Sequence, residues 1–423
     1  MTVATAQGGT AEAGAVRSAD LVIAGGGSVG LSTALAVRRA DPRARVVLVD
    51  ARPAPAARKA LSDERALAIA AAARRMLTRL GAWHRVEHLA QPVTQMIVTD
   101  SKLRDTVRPV FLTFAGDVEP GEPFVYMVPA GALTDAIEAA AIEAGVEILS
   151  GDTVADFAAD SAGVTVRLGS GGRIRAPLLV AADGVRSRLR GLAGIGVVRS
   201  DYRQTAIVVT VAHERPHEGC AVEHFLPNGP FAILPLTGNR SSLVWTERTE
   251  EAGRLMAMED FTFEVEMERR FGHHLGALSL AGPRRAHPLG ITLARRFIAG
   301  RFALIGDAAH GMHPIAGQGL NMGFRDVAAL AEVIVDARRL GLDPGSADAL
   351  GRYERWRRFD TVEMGLVTDA LNRLFRTDLD PVRFVRDIGL GLVDRLPGLK
   401  ARFIREAAGI GGTLPRLMRG EAL

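Results

Sequence analysis

In 423 residues there is one cysteine, Cys220. That excludes an internal disulfide and any cysteine-built metal cluster, and it suits a reducing compartment. No metal-ligand spacing and no nucleophile triad is visible, so no metal is expected. No apolar run approaches the roughly 18 residues of a membrane-spanning helix. The first 18 residues are rich in Ala and Gly and lack the apolar segment of a signal peptide, so a disordered arm is expected over 1–18. Lysine is confined to Lys59, Lys102 and Lys400, and aromatic residues make up 5% of the chain. Nucleic-acid binding needs a clustered basic face interleaved with aromatics, and here scattered arginines meet few rings, so no nucleic-acid partner is expected. The net charge of +4 is concentrated late in the chain, where Arg383, Arg386, Arg395, Lys400, Arg402, Arg405, Arg416 and Arg419 outnumber the acids.

Glycine, by contrast, stands in three ordered motifs. Asp20–Ala24 is a short apolar run suited to a buried parallel strand, and Gly25-Gly26-Gly27-Ser28-Val29-Gly30 follows it. A helix is expected over Leu31–Arg39. Gly25 permits a tight turn, Gly27 lets backbone approach a pyrophosphate, and Gly30 lets helix and strand pack closely. The phosphates of a dinucleotide would sit at the positive end of that helix. Asp50 ends the next strand, 20 residues after Gly30, where a carboxylate suits ribose hydroxyls. The motif alone does not separate FAD from NAD.

The second motif, Asp183-Gly184, ends a strand expected over Arg175–Ala182 with Leu178, Leu179 and Val180 in it. The third, Gly306-Asp307, ends the strand Phe302–Ile305 and leads into His313-Pro314-Ile315-Ala316-Gly317-Gln318-Gly319-Leu320-Asn321. Ligands of open parallel sheets lie beyond the carboxyl ends of the strands, so the three motifs are expected to converge on one crevice and one long cofactor. Leu320, Phe324, Val327, Ala328, Ala331 and Val335 keep helical spacing. A helix starting there aims its free N–H groups and positive end back at the glycines, a setting that favours negative charge on a bound ligand. His310 and His313 are read as packing or capping residues, and Trp83 as core.

The string from His313 to Asp326 resembles the signature of the flavoprotein aromatic-ring monooxygenases related to p-hydroxybenzoate hydroxylase, in the ubiquinone-biosynthesis hydroxylase branch. Asp63-Glu64-Arg65, Tyr202-Arg203-Gln204, Phe225–Pro230 and Gly389–Asp394 continue the resemblance, which runs over about residues 19 to 420. It implies FAD as cofactor, with Asp307 on the ribityl chain and Arg65 near the pyrophosphate or ribityl region. It also implies that Gly317, Gln318, Gly319, Leu320 and Asn321 lie beside the isoalloxazine ring, and that Asp183 and Gly184 serve FAD and the incoming reductant. Tyr202, Gln204 and Pro314 are the substrate-pocket candidates. The chain departs from its relatives at Ala130-Gly131 and over Ala68–Ala71, where they often carry polar residues; that weakens FAD-contacting side chains near residue 130 and makes the surroundings of Arg65 less polar.

The expected fold is α/β, a Rossmann-like FAD-binding domain interleaved with a mainly antiparallel substrate domain, plus a C-terminal helical segment. FAD-binding parts are expected at 19–91, 126–195 and 296–345, substrate-domain parts at 92–125 and 196–295, and helices over 346–423. The resemblance implies hydroxylation of a polyprenylated phenol through a flavin C4a-hydroperoxide, with NAD(P)H as reductant and dioxygen as oxidant. It implies a cytoplasmic enzyme, other ubiquinone-biosynthesis proteins as partners and peripheral contact with the inner face of the membrane. For that contact the basic amphipathic stretch from Phe384 to Ile404 is the candidate, and a helix packed on the body is the alternative. Two other functions stay open: a flavin-dependent reductase or dehydrogenase of a prenyl lipid, and a non-catalytic accessory protein that binds FAD and lipid.

Overall fold

A computed structural model describes residues 16–54, 65–100, 110–312, 317–376 and 397–423. The architecture is the expected α/β one, built on two large sheets. The first has six strands in the order Glu147–Ser150, Val46–Asp50, Leu21–Ala24, Leu179–Ala181, Phe302–Leu304 and Ile298–Ala299. All neighbours in it run parallel except the last pair. Its strands read as continuous apolar runs because both faces are covered. On one face the helix Ser28–Ala40 packs between the helices Ala130–Glu143 and Gln318–Arg339. On the other lies a four-stranded sheet that includes Val154–Ala159, Val164–Leu168 and Arg173–Ala176. Phe157 of that sheet stacks on Phe302 of the parallel one, ring centroids 5.1 Å apart.

Within the span 1–18 expected as a disordered arm, Val16–Ser18 instead pairs in parallel with Arg173–Arg175 and forms the fourth strand of this covering sheet. Residues 1–15 lie outside the described residues.

The second large sheet has nine strands. Its main path runs His310–Gly311, Arg285–Ala294, Val197–His213, Arg240–Arg248, Gly229–Leu236, Cys220–Leu226, Gln95–Asp100 and Val110–Ala115, and Leu278–Leu280 joins Val197–His213 at its side. Side chains alternate between its faces. The row Ile207, Trp245, Phe231 faces the helices Thr249–Met256 and Asp260–Phe271 and makes a second core with Phe263 and Met267. The adjacent row Val208, Val244, Ala232 faces the opposite way, toward the parallel sheet. The expected division at 295/296 is crossed once: His310 and Gly311 pair with Leu293 and Thr292, so the chain touches the nine-stranded sheet before entering the helix Gln318–Arg339.

Between the two sheets, Ala66–Ala70, Val125–Pro129 and Gln91–Val93 form a small antiparallel sheet. The segment 397–423 closes the body: Leu417 and Met418 are buried, and Arg416 donates its backbone N–H to Glu332 at 2.8 Å. The stretch 377–396, which holds most of the basic amphipathic candidate and Gly389–Asp394, lies outside the described residues, as do Asp63, Glu64 and His313–Ala316.

Candidate active site

A cavity of about 1140 Å³ lies between the carboxyl ends of the parallel strands and the inner face of the nine-stranded sheet. Typical small-ligand pockets hold roughly 300–1,000 Å³, so this one has room for an extended cofactor together with a substrate. All three glycine motifs reach its wall: Gly25 to Gly30, Asp183-Gly184 and Gly306-Asp307, with Gly317, Gly319 and Leu320 beside them.

At three positions of the first turn a side chain has no room. Gly25 has φ +110° and donates its N–H to Val49 O at 2.8 Å, and a Cβ on it would stand 2.3 Å from Ala182 O. A Cβ on Gly30 would stand 2.0 Å from Gly25 O. Gly27 caps the helix Ser28–Ala40 without a side-chain hydrogen bond and has nothing within 4 Å of a would-be Cβ. The helix begins at Ser28, a turn earlier than expected, so its unpaired N–H groups open on the cavity. Asp50 ends its strand on the same wall, where its Oδ2 accepts from Arg52 Nε at 2.8 Å. Arg52 also donates to Gly26 O, and a Cβ on Gly26 would meet Asp50 Oδ2 at 2.2 Å. Sequence reasoning assigned nothing to Gly26 or Arg52.

Asp183 Oδ2 accepts from Leu189 N–H at 3.2 Å, while its Oδ1 is buried with no hydrogen-bond partner among the described residues. A buried, unsatisfied carboxylate oxygen on a cavity wall calls for a donor from a ligand. Asp307 opens into the cavity yet is walled by protein; desolvation pushes its carboxyl above the usual range, opposed by His310 and Arg65. Arg65 is exposed on the rim and accepts from Ala130 N–H at 2.8 Å through its carbonyl.

Beneath Asp307 lies a buried network that holds the motif in place. Asp326 Oδ2 accepts from Gly306 N–H at 2.9 Å and pairs with His310 Nε2 at 2.5 Å. Its Oδ1 accepts from Arg357 Nε at 2.8 Å, and Arg357 Nη1 goes on to Asp360 at 2.7 Å. Burial alone would raise the carboxyl of Asp326, but His310 and Arg357 together hold it below the ordinary value. His310 is fully buried within this network. Arg190 ties the second motif to the third, donating to Ala308 O at 2.7 Å and Val185 O at 3.0 Å. Neither Arg190 nor Arg357 stands out in a chain so rich in arginine.

Some of the expected site residues face elsewhere. Asn321 does not line the cavity: its Oδ1 accepts from Ala70 N–H at 3.0 Å and its Nδ2 donates to Ala68 O at 2.9 Å. It clamps the strand Ala66–Ala70 to the helix, because successive helical residues are rotated about the axis and Asn321 falls on the side that faces this strand. Gln318 also turns from the cavity, toward Ala407 O at 3.4 Å. Gly317 begins the helix at φ +64°, with a would-be Cβ 2.6 Å from Ala68 Cβ. Tyr202 is buried among Ala206, Leu289, Val244 and Ile291, and Gln204 Nε2 holds Asn228 O at 2.7 Å; neither lines the cavity. Pro314 lies outside the described residues.

The sheet side of the cavity is apolar, with Ala206, Val208, Ala232, Leu234, Val244 and Leu289. Two ionisable groups interrupt it, Glu223 and His287. Sequence reasoning overlooked both. The available signal for Glu223 was a carboxylate inside Cys220–Leu226, an otherwise mostly apolar strand.

Taken together, a glycine cradle open to a ligand, an orphaned carboxylate oxygen and a helix end aimed at the same space fit an extended dinucleotide such as FAD. Comparison with known proteins agrees. The family model described as FAD binding domain matches residues 18–358. The chain is 46% identical over 410 residues to ubiquinone hydroxylase UbiL of Rhodospirillum rubrum, covering 96% of this chain and 94% of that one. It is 33% identical over 398 residues to 3-demethoxyubiquinol 3-hydroxylase of Escherichia coli, covering 92% and 98%. The solved structure of p-nitrophenol 4-monooxygenase PnpA from Pseudomonas putida shares the fold, with a TM-score of 0.76 at 19% identity over 94% of this chain and 100% of that one. The chain belongs to the FAD-binding-domain family, among the flavoprotein aromatic-ring monooxygenases of the p-hydroxybenzoate hydroxylase type.

Proposed function

We propose that this protein inserts one atom of dioxygen into the aromatic ring of a polyprenylated phenol on the route to ubiquinone. The observation that carries this reading is one continuous cavity with a dinucleotide cradle at one end and an apolar sheet wall at the other. When bound, FAD supplies the redox chemistry, taking electrons from NAD(P)H and activating dioxygen.

The chain's own residues bind, orient and exclude. Gly25, Gly27 and Gly30 with the N–H groups of Ser28–Ala40 would hold the pyrophosphate, and Asp50 the ribose. Asp183 Oδ1 would take its missing hydrogen bond from the cofactor, and Asp307 would hold the ribityl chain with Arg65 at the rim. Gly317, Gly319 and Leu320 bring the start of a 22-residue helix to the flavin end of the cavity, where its positive end favours negative charge on the ring. The row Ala232, Val244 and Val208 gives the substrate a dry wall, which keeps water from the reacting centre.

The test is turnover of a short-chain prenylphenol by the holoenzyme with NAD(P)H under ¹⁸O₂. One labelled oxygen atom in the ring supports the hydroxylase reading. A product altered only in its prenyl chain, without label, establishes a reductase or dehydrogenase instead, and no turnover of any prenylphenol favours an accessory protein.

A prenyl chain resides in a bilayer, so we also place the enzyme at a membrane surface. No helix among the described residues is long and apolar enough to cross a membrane. In the helix Pro397–Ala407, Ile404 and Ala408 just beyond it pack onto the body while Arg402 and Arg405 are exposed. Reversing both charges (R402E/R405E) leaves that packing in place; liposome binding unchanged by the reversal would refute this helix as the contact.

A further inference from the structure

Glu223 sits on the inner face of the nine-stranded sheet, 6% exposed, and lines the cavity. Its neighbours on that face are apolar: Ala221 and Phe225 along its own strand, Val98 and Ala232 on the adjoining strands. Among the described residues its carboxyl has neither a hydrogen-bond partner nor a counter-ion. Burial pushes the carboxyl up to about 7. A carboxyl at such a position costs stability unless a ligand satisfies it.

Its place in the fold puts it at the flavin end. Ala221, two residues back on the same face, packs in a cluster with Met96, Leu234 and Ala68, and Ala68 is the residue that Gly317 abuts. His287 lies on the fourth strand away in the sheet order, roughly 19 Å at about 4.8 Å per strand, so a single aromatic ring cannot bridge the two.

We propose that Glu223 is a substrate-binding residue that takes the hydrogen bond of the ring hydroxyl and so fixes which ring position faces the cofactor. This rests on the phenol-hydroxylase reading above. The apolar neighbours accept the ring and the first prenyl unit, and the carboxyl supplies the polar contact that this wall otherwise lacks there. In its ionised form it accepts the phenol O–H, drawing the proton toward itself and leaving the ring oxygen richer in electrons. In its protonated form it donates to the same oxygen.

The experiment compares 2-geranylphenol with its methyl ether, measuring dissociation constants with the FAD-loaded enzyme through the change in flavin absorbance. At pH 8.5, where the carboxyl is ionised and only the phenol can donate to it, the wild type is expected to prefer the phenol by roughly 10- to 100-fold, the worth of a hydrogen bond to a charged group. In E223L, with flavin content and melting temperature checked, the preference should fall to about twofold or less. In E223Q the neutral amide oxygen should keep only roughly 2- to 10-fold. Equal binding of phenol and ether by the wild type, or a full wild-type preference in E223L or E223Q, overturns the assignment of Glu223 and leaves the hydroxylase reading intact. Failure of the wild type to bind either compound defeats both.

Discussion

Replacing Asp326 by Asn tests whether the buried network under the Gly306-Asp307 turn is what holds it. The swap keeps size and shape but removes the charge and turns one acceptor into a donor. Asp326 presents only acceptors to three donors: Gly306 N–H and His310 on one oxygen, Arg357 on the other. An Asn cannot serve both sides, because its NH₂ must face either Arg357 or the Gly306–His310 pair. In either orientation Arg357, whose side chain is 1% exposed, is left as a buried cation with Asp360 as its one carboxylate partner among the described residues. Breaking one partner out of a buried pair costs about 3–5 kcal/mol. For 423 residues the unfolding entropy is about 0.9 kcal/mol per kelvin, which converts the loss into a fall of roughly 3–6 °C in melting temperature. The difference should hold across neutral pH. Because the folded-state carboxyl of Asp326 lies below its ordinary value, its stabilisation is present above that value and is lost as pH falls through the folded one. The wild type and D326N should therefore converge only on strong acidification. The assay is thermal unfolding of both proteins, with and without FAD, between pH 8 and pH 4, together with flavin retention on a desalting column. A D326N protein that melts within about 1 °C of the wild type and keeps its flavin would refute the reasoning.

Gly30→Ala places a methyl 2.0 Å from Gly25 O, backbone against backbone, so the helix must withdraw from the turn; a folded protein with FAD binding weakened at least about tenfold by fluorescence titration is expected. Arg190→Met strips donors from Ala308 O and Val185 O, at about 1–3 kcal/mol for each carbonyl left unsatisfied, and should lower both melting temperature and FAD affinity. Glu223→Gln should change how stability depends on pH. Between the ordinary value of 4.5 and the folded value of about 7 the native state holds a proton that the unfolded chain has released. Wild-type stability therefore falls as pH rises through that window and levels off above it, a total of about 3 kcal/mol. E223Q lacks that slope, so its melting temperature measured against the wild type should climb from pH 5 to pH 8.

The outline of the fold was legible because its signals are local. Short apolar runs ending in glycine or Gly-Asp mark buried parallel strands, and the alternation over 202–250 marks a sheet with two unlike faces. The motif positions that depend on backbone were also readable: Gly25, Gly30 and Gly317 stand where a Cβ has no room. Side-chain direction was not. Asn321 shares a short string with Gly317 and Gly319, yet it faces the strand Ala66–Ala70, since helical geometry rotates neighbours onto different sides. Gln204 shares a face with the cavity-lining Ala206 but is taken up by Asn228 O, and Tyr202, across a shift in register from it, packs against Ala206 and Leu289. Arg357 and Arg190 were invisible because their partners lie 31 and 118 residues away. Glu223 was within reach, as a carboxylate inside an apolar strand asks for an explanation.

The alternation of the nine-stranded sheet has a consequence for how such a protein can change. Ile207, Phe231 and Trp245 anchor the helices behind the sheet, while the next residue along each of the first two strands, Val208 and Ala232, and the preceding one on the third, Val244, shape the cavity. Pocket and scaffold are thus written on the same strands but at separate positions. A lineage, or an engineer, can enlarge, narrow or re-polarise the binding wall at every second residue while the residues between keep the fold standing.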